Sequence, residues 1–307
     1  MREVAITGGA GFIGSSLVHR IVKNAARVVV IDDLSTGLES NLTGLDVEFY
    51  EVSFTDKEKV RKLIGSVDCI VHLGARGSVP RSLKDPVTTH LVNTQGTLNM
   101  LEISRDCGAD FIYSSSSSVY GSNLEIPKIE NTWLEPLSPY AASKLSAEAF
   151  VHAYSYSYGM KTTLLRFFNV FGPRQRPDHE YAAVIPKWIR KALRNETIEL
   201  FGDGTQSRDF TYIDTVCDVM ESALNKEFSS PHVINLAYGN NITLNDLIAK
   251  LKDYFPNLKV KISPPRAGDV KQSQNNPARL KEMFPEVIPV NFDVALNQTI
   301  NWLKEVN

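Results

Sequence analysis

Thr7-Gly8-Gly9-Ala10-Gly11-Phe12-Ile13-Gly14 is the stretch that decides the fold of this chain. The apolar run Val4-Ala5-Ile6 precedes it and a helical pattern over residues 12–23 follows, so Gly8, Gly11 and Gly14 fall at a strand-to-helix turn. Glycines at that spacing make the turn tight, let the backbone approach a pyrophosphate, and aim a helix N-terminus at its charge. The next apolar run, Arg27-Val28-Val29-Val30-Ile31, ends in Asp32 and Asp33. A carboxylate at the end of that strand can accept bonds from both ribose hydroxyls and repels a 2′-phosphate, so the expected cofactor is NAD rather than NADP.

Outward from this unit, short β-rich runs alternate with helical patterns. Residues 47–50 and 57–64 continue the alternation, and Cys69-Ile70-Val71-His72-Leu73, Phe111-Ile112-Tyr113 and Thr162-Thr163-Leu164-Leu165-Arg166 read as strands covered on both faces. The expected fold is α/β, a doubly wound parallel Rossmann sheet with a smaller α/β substrate-binding lobe. After Asn169 the breaks Gly172-Pro173, Pro177-Asp178, Gly202-Asp203-Gly204 and Pro264-Pro265 shorten the elements. The expected division is a dinucleotide-binding domain over 1–168, to which the chain returns at 210–238, and a substrate lobe from 169–209 and 239–307. Helical patterns at 182–193, 244–254 and 294–303 belong to the second lobe.

The 307 residues, 43% of them hydrophobic, are enough for a large core. A net charge of -2 with dispersed basic residues gives no reason to expect nucleic acid or an anionic membrane as partner. No run approaches the ~20 apolar residues of a membrane span. Cys69, Cys107 and Cys217 are isolated and lack metal-ligand spacing, so no metal is expected and the reducing cytoplasm is the expected compartment.

The reacting groups lie further on. In Tyr140-Ala141-Ala142-Ser143-Lys144 the tyrosine and lysine share a helix face four residues apart. A phenol titrates near ~10 and needs help to act as a base near neutrality, and the Lys144 ammonium is placed to stabilise its phenolate. Ser116, within the run Ser114 to Ser118, stands just past a strand end, where it offers a hydroxyl to the same centre. Ser114 and Ser115 read as groups that satisfy backbone.

Together the glycine fingerprint, Asp32-Asp33-Leu34-Ser35-Thr36-Gly37, the serine run before Val119-Tyr120-Gly121, Tyr140/Lys144, Arg166-Phe167-Phe168-Asn169 and Arg208-Asp209-Phe210 resemble the extended short-chain dehydrogenase/reductases. Within that family the chain is similar to nucleotide-sugar 4-epimerases over nearly its whole length. Relatives that dehydrate or decarboxylate carry acidic groups just before Val-Tyr-Gly, where this chain has Ser117 and Ser118, so epimerisation is the chemistry implied. The resemblance gives Tyr140, Lys144 and Ser116 the roles of base, phenolate stabiliser and C4-oxygen donor in a reaction through a 4-keto sugar. It places Gly8, Gly11, Phe12, Ile13, Gly14, Asp32, Asp33, Leu34, Ser35, Thr36, Gly37, Ser53, Phe54, Leu73, Ala75, Asn93 and Phe168 at NAD, with Ser53 standing where relatives hold an aspartate against the adenine. It also implies a homodimer that pairs helices within 87–107 and 140–158.

For the substrate, the resemblance implies a UDP-sugar. Asn169, Arg208 and Arg266 would meet the nucleoside diphosphate, with Trp188 as a flat apolar surface and Lys187 also touching the substrate. Ala183, Val184, Leu200, Phe201 and Asp269 would line uridine and ribose, and Ser78 the sugar. Ser273 occupies the position where a bulky tyrosine excludes acetamido sugars in relatives, so UDP-N-acetylglucosamine and UDP-N-acetylgalactosamine are the expected pair, with UDP-glucose and UDP-galactose also accepted. Arg176-Pro177-Asp178 resembles a segment of UDP-glucuronate 4-epimerases and keeps glucuronate as the alternative. A non-catalytic dinucleotide sensor is the alternative of another class.

Overall fold

The computed structural model describes residues 1–178, 182–230, 232–265 and 271–306. Tyr181, Arg266 and Asp269 lie outside the described residues. The strands are β1 (Glu3–Thr7), β2 (Arg27–Asp32), β3 (Glu48–Glu51), β4 (Cys69–His72), β5 (Asp110–Ser116), β6 (Thr162–Phe167), β7 (Asn169–Phe171), β8 (Ile198–Phe201), β9 (Ser207–Arg208), β10 (Phe210–Tyr212), β11 (Ile234–Leu236), β12 (Ile242–Thr243), β13 (Val260–Ser263) and β14 (Gln272–Ser273). The helices are α1 (Phe12–Ile21), α2 (Lys57–Ile64), α3 (Val79–Lys84), α4 (Pro86–His90), α5 (Gly96–Cys107), α6 (Pro139–Tyr158), α7 (Val184–Leu193), α8 (Ile213–Asn225), α9 (Leu244–Tyr254), α10 (Ala278–Met283) and α11 (Phe292–Val306).

Seven strands form one sheet in the order β3-β2-β1-β4-β5-β6-β11. The registers β1–β2, β2–β3, β1–β4, β4–β5 and β5–β6 are all parallel. The order reverses between β1 and β4, and in such sheets ligands bind at the carboxyl ends of the strands around that reversal. Gly8 follows the end of β1 directly, Gly74 stands two residues past the end of β4, and Ser116 closes β5. The apolar runs behave as their composition demands: all four residues of β4 and all six of β6 are buried. One face of the sheet packs Ala5, Val29, Ile31, Ile70, Phe111 and Tyr113 with Val60, Ile64, Met100 and Leu101 from the helices.

The chain divides into two compact units. Unit 1 comprises Met1–Gly121, Trp133–Phe167 and Cys217–Ile234; unit 2 comprises Ser122–Thr132, Phe168–Val216 and Asn235–Asn307. Residues 122–132 join unit 2 through backbone bonds: Lys128 N–H donates to the Gln274 carbonyl at 2.8 Å and Asn276 N–H to the Lys128 carbonyl at 2.9 Å. The Asn235 amide adds a bond to Glu130 Oε1 at 3.0 Å.

Local signals fix the helices that matter to the site. The Ser138 side chain caps α6 by accepting from Ala141 N–H, Pro139 fills its first turn, and Gly159 ends it in the left-handed region. The helical stretch expected over 87–107 is interrupted by a π-turn at Leu91–Gln95, between α4 and α5. Period counting does not show such a turn, because it widens the helix without changing which residues are apolar. Among the described residues no helix is long and apolar enough to cross a membrane.

Candidate active site

The glycine turn has the shape of a backbone cradle. Gly8 sits at φ +69°, and a Cβ there would lie 2.8 Å from Gly74 Cα; a Cβ on Gly14 would lie 2.1 Å from the Gly8 carbonyl oxygen. Side chains at these positions would force the turn open. Gly11 caps α1 with extended backbone and no side-chain bond, so the first N–H groups of the helix point out of the turn, as an anion requires.

Asp32, buried at the end of β2, accepts from Ala10 N–H and Leu34 N–H, both at 2.9 Å. Burial raises its pKa, while these backbone donors pull it back down. The Gly11 N–H also serves the carboxylate, and the remaining lone pair can accept a ribose hydroxyl. Asp33 is exposed and caps Ser35 N–H at 3.0 Å. The loop through Leu34, Ser35, Thr36 and Gly37 follows, with Leu34 at φ 55°. Phe12, Ile13, Leu73 and Ala75 remain partly exposed around the cradle. Ser53 bonds Thr55 Oγ1 at 2.9 Å.

Phe54 and Asn93, read from the sequence as cofactor contacts, are buried. The Phe54 ring stands edge-on to His72 at 5.0 Å, and the Asn93 amide is engaged by Arg76 N–H at 2.7 Å and by Ser143 Oγ at 2.9 Å. The cradle, the helix end and the acidic acceptor fit an NAD dinucleotide.

Ser116 and Tyr140 meet at the carboxyl end of β5. Ser116 Oγ accepts the Ser118 N–H at 3.2 Å, and a hydrogen bond joins it to the Tyr140 phenol. Burial raises the Tyr140 pKa, and the Ser116 bond opposes that rise. Lys144 is only 3% exposed; its Nζ donates to the Ser114 carbonyl at 2.6 Å and lies 4.8 Å from the centre of the Tyr113 ring. Burial pulls its pKa down to about 7, against the attraction of Glu148 one turn further along α6. Lys144 follows Tyr140 by four residues on α6, so the two share a helix face, and a lysine shifted this far toward neutrality marks a candidate functional site.

The sequence did not reveal the network beneath this pair. Glu148 accepts two bonds from Arg166, at 2.9 and 2.8 Å, and a short one from Ser115 Oγ, so Ser115 serves a carboxylate and not a backbone group. Ser114 does serve backbone, donating to the His72 carbonyl at 3.2 Å.

The Lys144 pKa sets a sign for stability. Folding lowers it from 10.5, so between about pH 7 and pH 10.5 the unfolded chain holds more protons and stability rises with pH; below pH 7 the full penalty of a buried ammonium applies. Lys144→Met is expected to raise the melting temperature more at pH 6.5 than at pH 9.5 while losing activity. Thermal melts at the two pH values check this, and an equal change at both would remove Lys144 as the source.

Unit 2 holds a cavity of about 320 Å³. Asn169, Ala183, Val184, Lys187, Trp188, Phe201 and Arg208 line it. On α7, Val184 and Trp188, like Lys187 and Lys191, are four residues apart and share a face. Leu200 turns away: β8 alternates, with Ile198 and Leu200 buried in the core while Glu199 and Phe201 reach the cavity. Lys191, Glu199 and Gln206 line it without a signal in the sequence.

Arg208 lies on β9, the middle strand of a three-stranded sheet, opposite Ile242 on β12 and Ser273 on β14. Residues paired across strands project to the same face, which sets Ser273 beside the cavity's arginine. The next residue, Asp209, is fully buried and accepts from Gly239, Asn240 and Asn275 N–H at 2.9, 3.0 and 2.9 Å. It ties the segments that flank both Arg208 and Ser273. Phe168 is buried in unit 2, and Ser78, in unit 1, caps α3 at φ 97°. Arg176 forms a two-pronged pair with Asp178, both bonds at 3.0 Å.

Comparison with known proteins places these features in a family. The model of the NAD dependent epimerase/dehydratase family matches residues 4–237. A putative UDP-glucose 4-epimerase from Methanocaldococcus jannaschii is 33% identical, covering 99% of each chain. A UDP-glucuronate 4-epimerase from Thermodesulfobacterium geofontis is 31% identical over 98% of this chain and 95% of its own. Among solved structures, the UDP-N-acetylglucosamine 4-epimerase from Methanobrevibacter ruminantium M1, in complex with UDP-N-acetylmuramic acid, superposes with a TM-score of 0.93 at 34% identity over 100% of this chain and 99% of that one. The chain belongs to the NAD-dependent epimerase/dehydratase family of extended short-chain dehydrogenase/reductases, on the branch of the UDP-sugar 4-epimerases, isomerases that use NAD.

Proposed function

We propose that this protein interconverts UDP-N-acetylglucosamine and UDP-N-acetylgalactosamine, and also accepts UDP-glucose and UDP-galactose. The observation that carries the sugar assignment is the strand pairing of Ser273 with Arg208, the arginine that lines the unit 2 cavity. A small hydroxyl next to the arginine assigned to phosphate leaves volume for an acetamido group, and an open site discriminates weakly against a smaller hexose. The M. ruminantium relative, named for an acetamido sugar, supports the same reading.

In the proposed reaction Tyr140 takes the C4 hydroxyl proton, Ser116 holds the C4 oxygen, and the Lys144 ammonium offsets the phenolate charge. When bound, NAD supplies a reversible two-electron acceptor for the sugar carbon, so a full turnover leaves no net redox change. Gly8, Gly11 and Gly14 hold its pyrophosphate and Asp32 its ribose. The 4-keto sugar then turns to present its other face, and Tyr140 returns the proton to the inverted C4 oxygen. Asn169, Lys187 and Arg208 hold the nucleoside diphosphate, and Trp188 and Phe201 line the base.

A second reading, UDP-glucuronate epimerisation, has the T. geofontis relative in its favour. It needs Arg176 for the sugar carboxylate, and that guanidinium is already paired with Asp178. We also propose a homodimer. Val87 and Leu91 are 67% and 50% exposed, four residues apart along α4 and the π-turn that continues it, apolar groups of the kind a second copy buries.

The substrate assignment predicts the outcome of Ser273→Tyr. Turnover of UDP-N-acetylglucosamine is expected to fall about 100-fold relative to UDP-glucose, because the ring fills the acetamido space. Competition between the two sugars measures the ratio. An unchanged ratio would detach Ser273 from sugar selection.

A further inference from the structure

His72 lies at the centre of a hydrogen-bonded chain inside unit 1 and has no assigned role. It ends β4, is fully buried, and is packed between Phe54, Phe111 and Tyr113 at ring distances of 5.0, 5.9 and 5.9 Å. Its Nδ1 stands 2.6 Å from Thr7 Oγ1 and its Nε2 3.1 Å from Thr97 Oγ1. Thr97 Oγ1 donates to the Asn93 carbonyl at 2.6 Å, and Thr7 Oγ1 accepts the Gly74 N–H at 3.2 Å.

Proton counting leaves one arrangement. A hydroxyl has one proton, and Thr97 gives its own to a carbonyl that can only accept. Thr97 must then receive from His72, so Nε2 carries the hydrogen. Nδ1 of the neutral ring is left bare and needs a donor, which the Thr7 hydroxyl provides while its oxygen receives the Gly74 amide. Every polar side-chain atom of His72, Thr7 and Thr97 is satisfied in this direction, and the Thr97 oxygen keeps a lone pair for the Tyr113 hydroxyl that also faces it. A second proton on Nδ1 would face the oxygen of Thr7 and leave that hydroxyl without its acceptor.

The electrostatics agree. Burial, with the Lys144 ammonium as the facing charge, pulls the imidazole down to about 3. The other groups packed on it are the two phenylalanines, Thr7, Thr97 and the Tyr113 ring, whose own pKa burial raises.

The two ends of the chain reach the parts of the site. Gly74 is the backbone against which Gly8 closes, where a Cβ would lie 2.8 Å away. Asn93 sits in the π-turn, holds the Arg76 backbone, and reaches Ser143 Oγ on the helix that carries Tyr140 and Lys144. We propose that His72 is a positioning residue: locked neutral as the Nε2–H tautomer, it joins the glycine cradle to the catalytic helix and keeps a second cation away from Lys144.

Long-range ¹⁵N–¹H correlation NMR of the full-length, histidine-labelled protein reads the tautomer. The expected result is one His72 signal set, with hydrogen on Nε2 and a bare Nδ1, unchanged from pH 8 to pH 5.5. Hydrogen on Nδ1, or titration in that range, would overturn the proposal. Thr97→Val removes the acceptor for Nε2 while keeping the shape, and is expected to weaken NAD binding about tenfold and to release His72 into mixed tautomers. Thr97→Ser is expected to restore both. A Thr97→Val protein with wild-type NAD affinity and an unmixed Nε2–H signal would also overturn it; should that variant not fold, the wild-type spectrum decides.

Discussion

Tyr140→Phe is expected to lower kcat for epimerisation by about 10³-fold while leaving the fold, the bound NAD and the KM for the sugar nucleotide nearly unchanged. The hydroxyl is the only atom removed, and on our reading it carries the proton of the C4 oxygen. Its surroundings are arranged around that proton: burial holds the phenol up, the Ser116 bond draws it down, and Lys144 stands on the same helix. Phenylalanine keeps the ring packing, so a loss confined to kcat marks transition-state chemistry, whereas a rise in KM alone would mark a binding role. Steady-state kinetics on both proteins separates the two, with NAD content measured by absorbance after denaturation.

The second large effect concerns stability. Arg166 and Glu148 are 4% and 7% exposed and share a bidentate pair, with Arg166 also donating to the Tyr120 hydroxyl at 2.9 Å. Arg166→Met leaves a carboxylate in the interior with only Ser115 to serve it. Breaking one side of such a pair costs about 3–5 kcal/mol, a large share of the ~5–15 kcal/mol that holds a typical domain. Urea unfolding should show that loss. The double variant Arg166→Met/Glu148→Leu is expected to recover most of it above neutral pH, since the stranded carboxylate is gone and Lys144, without Glu148 to hold its proton, sits neutral there. If the double variant were as unstable as the single one, packing at Arg166, and not the charge, would be responsible. The pair also governs Lys144, because Glu148 is the group that holds its ammonium pKa up.

Features encoded by neighbours in the chain were legible from sequence. The glycine turn, the acid that ends β2 and the Tyr140/Lys144 spacing each depend on residues within one element or two adjacent ones, and backbone periodicity is enough to place them. Ser116 was legible because it ends a strand. What escaped depends on contacts between distant segments. Glu148 meets Ser115 across 33 positions and Arg166 across 18, and His72 meets Thr7 across 65. In a sequence, Glu148 is one more helical acid and His72 one more polar residue in an apolar run.

The cavity shows both outcomes. Family resemblance supplied Val184, Lys187 and Trp188, and helix spacing explains why Val184 and Trp188 share a face. Leu200 and Phe201 are adjacent in a strand, where the pleat sends one to the core and the other to the cavity. Family resemblance supplied both residues, and strand alternation separates them. Glu199, Gln206 and Lys191 carry no signal beyond being polar, and their place depends on how β8, β9 and α7 of unit 2 assemble.

We propose that this protein inverts C4 of an acetamido sugar nucleotide. Incubating the purified enzyme with UDP-N-acetylglucosamine alone and separating the products by nucleotide-sugar chromatography tests it most directly. UDP-N-acetylgalactosamine is expected to appear and approach a fixed equilibrium ratio, reached equally from either sugar, while the Tyr140→Phe enzyme forms almost none in the same time. No conversion of the acetamido sugar by an enzyme that epimerises UDP-glucuronate would contradict it.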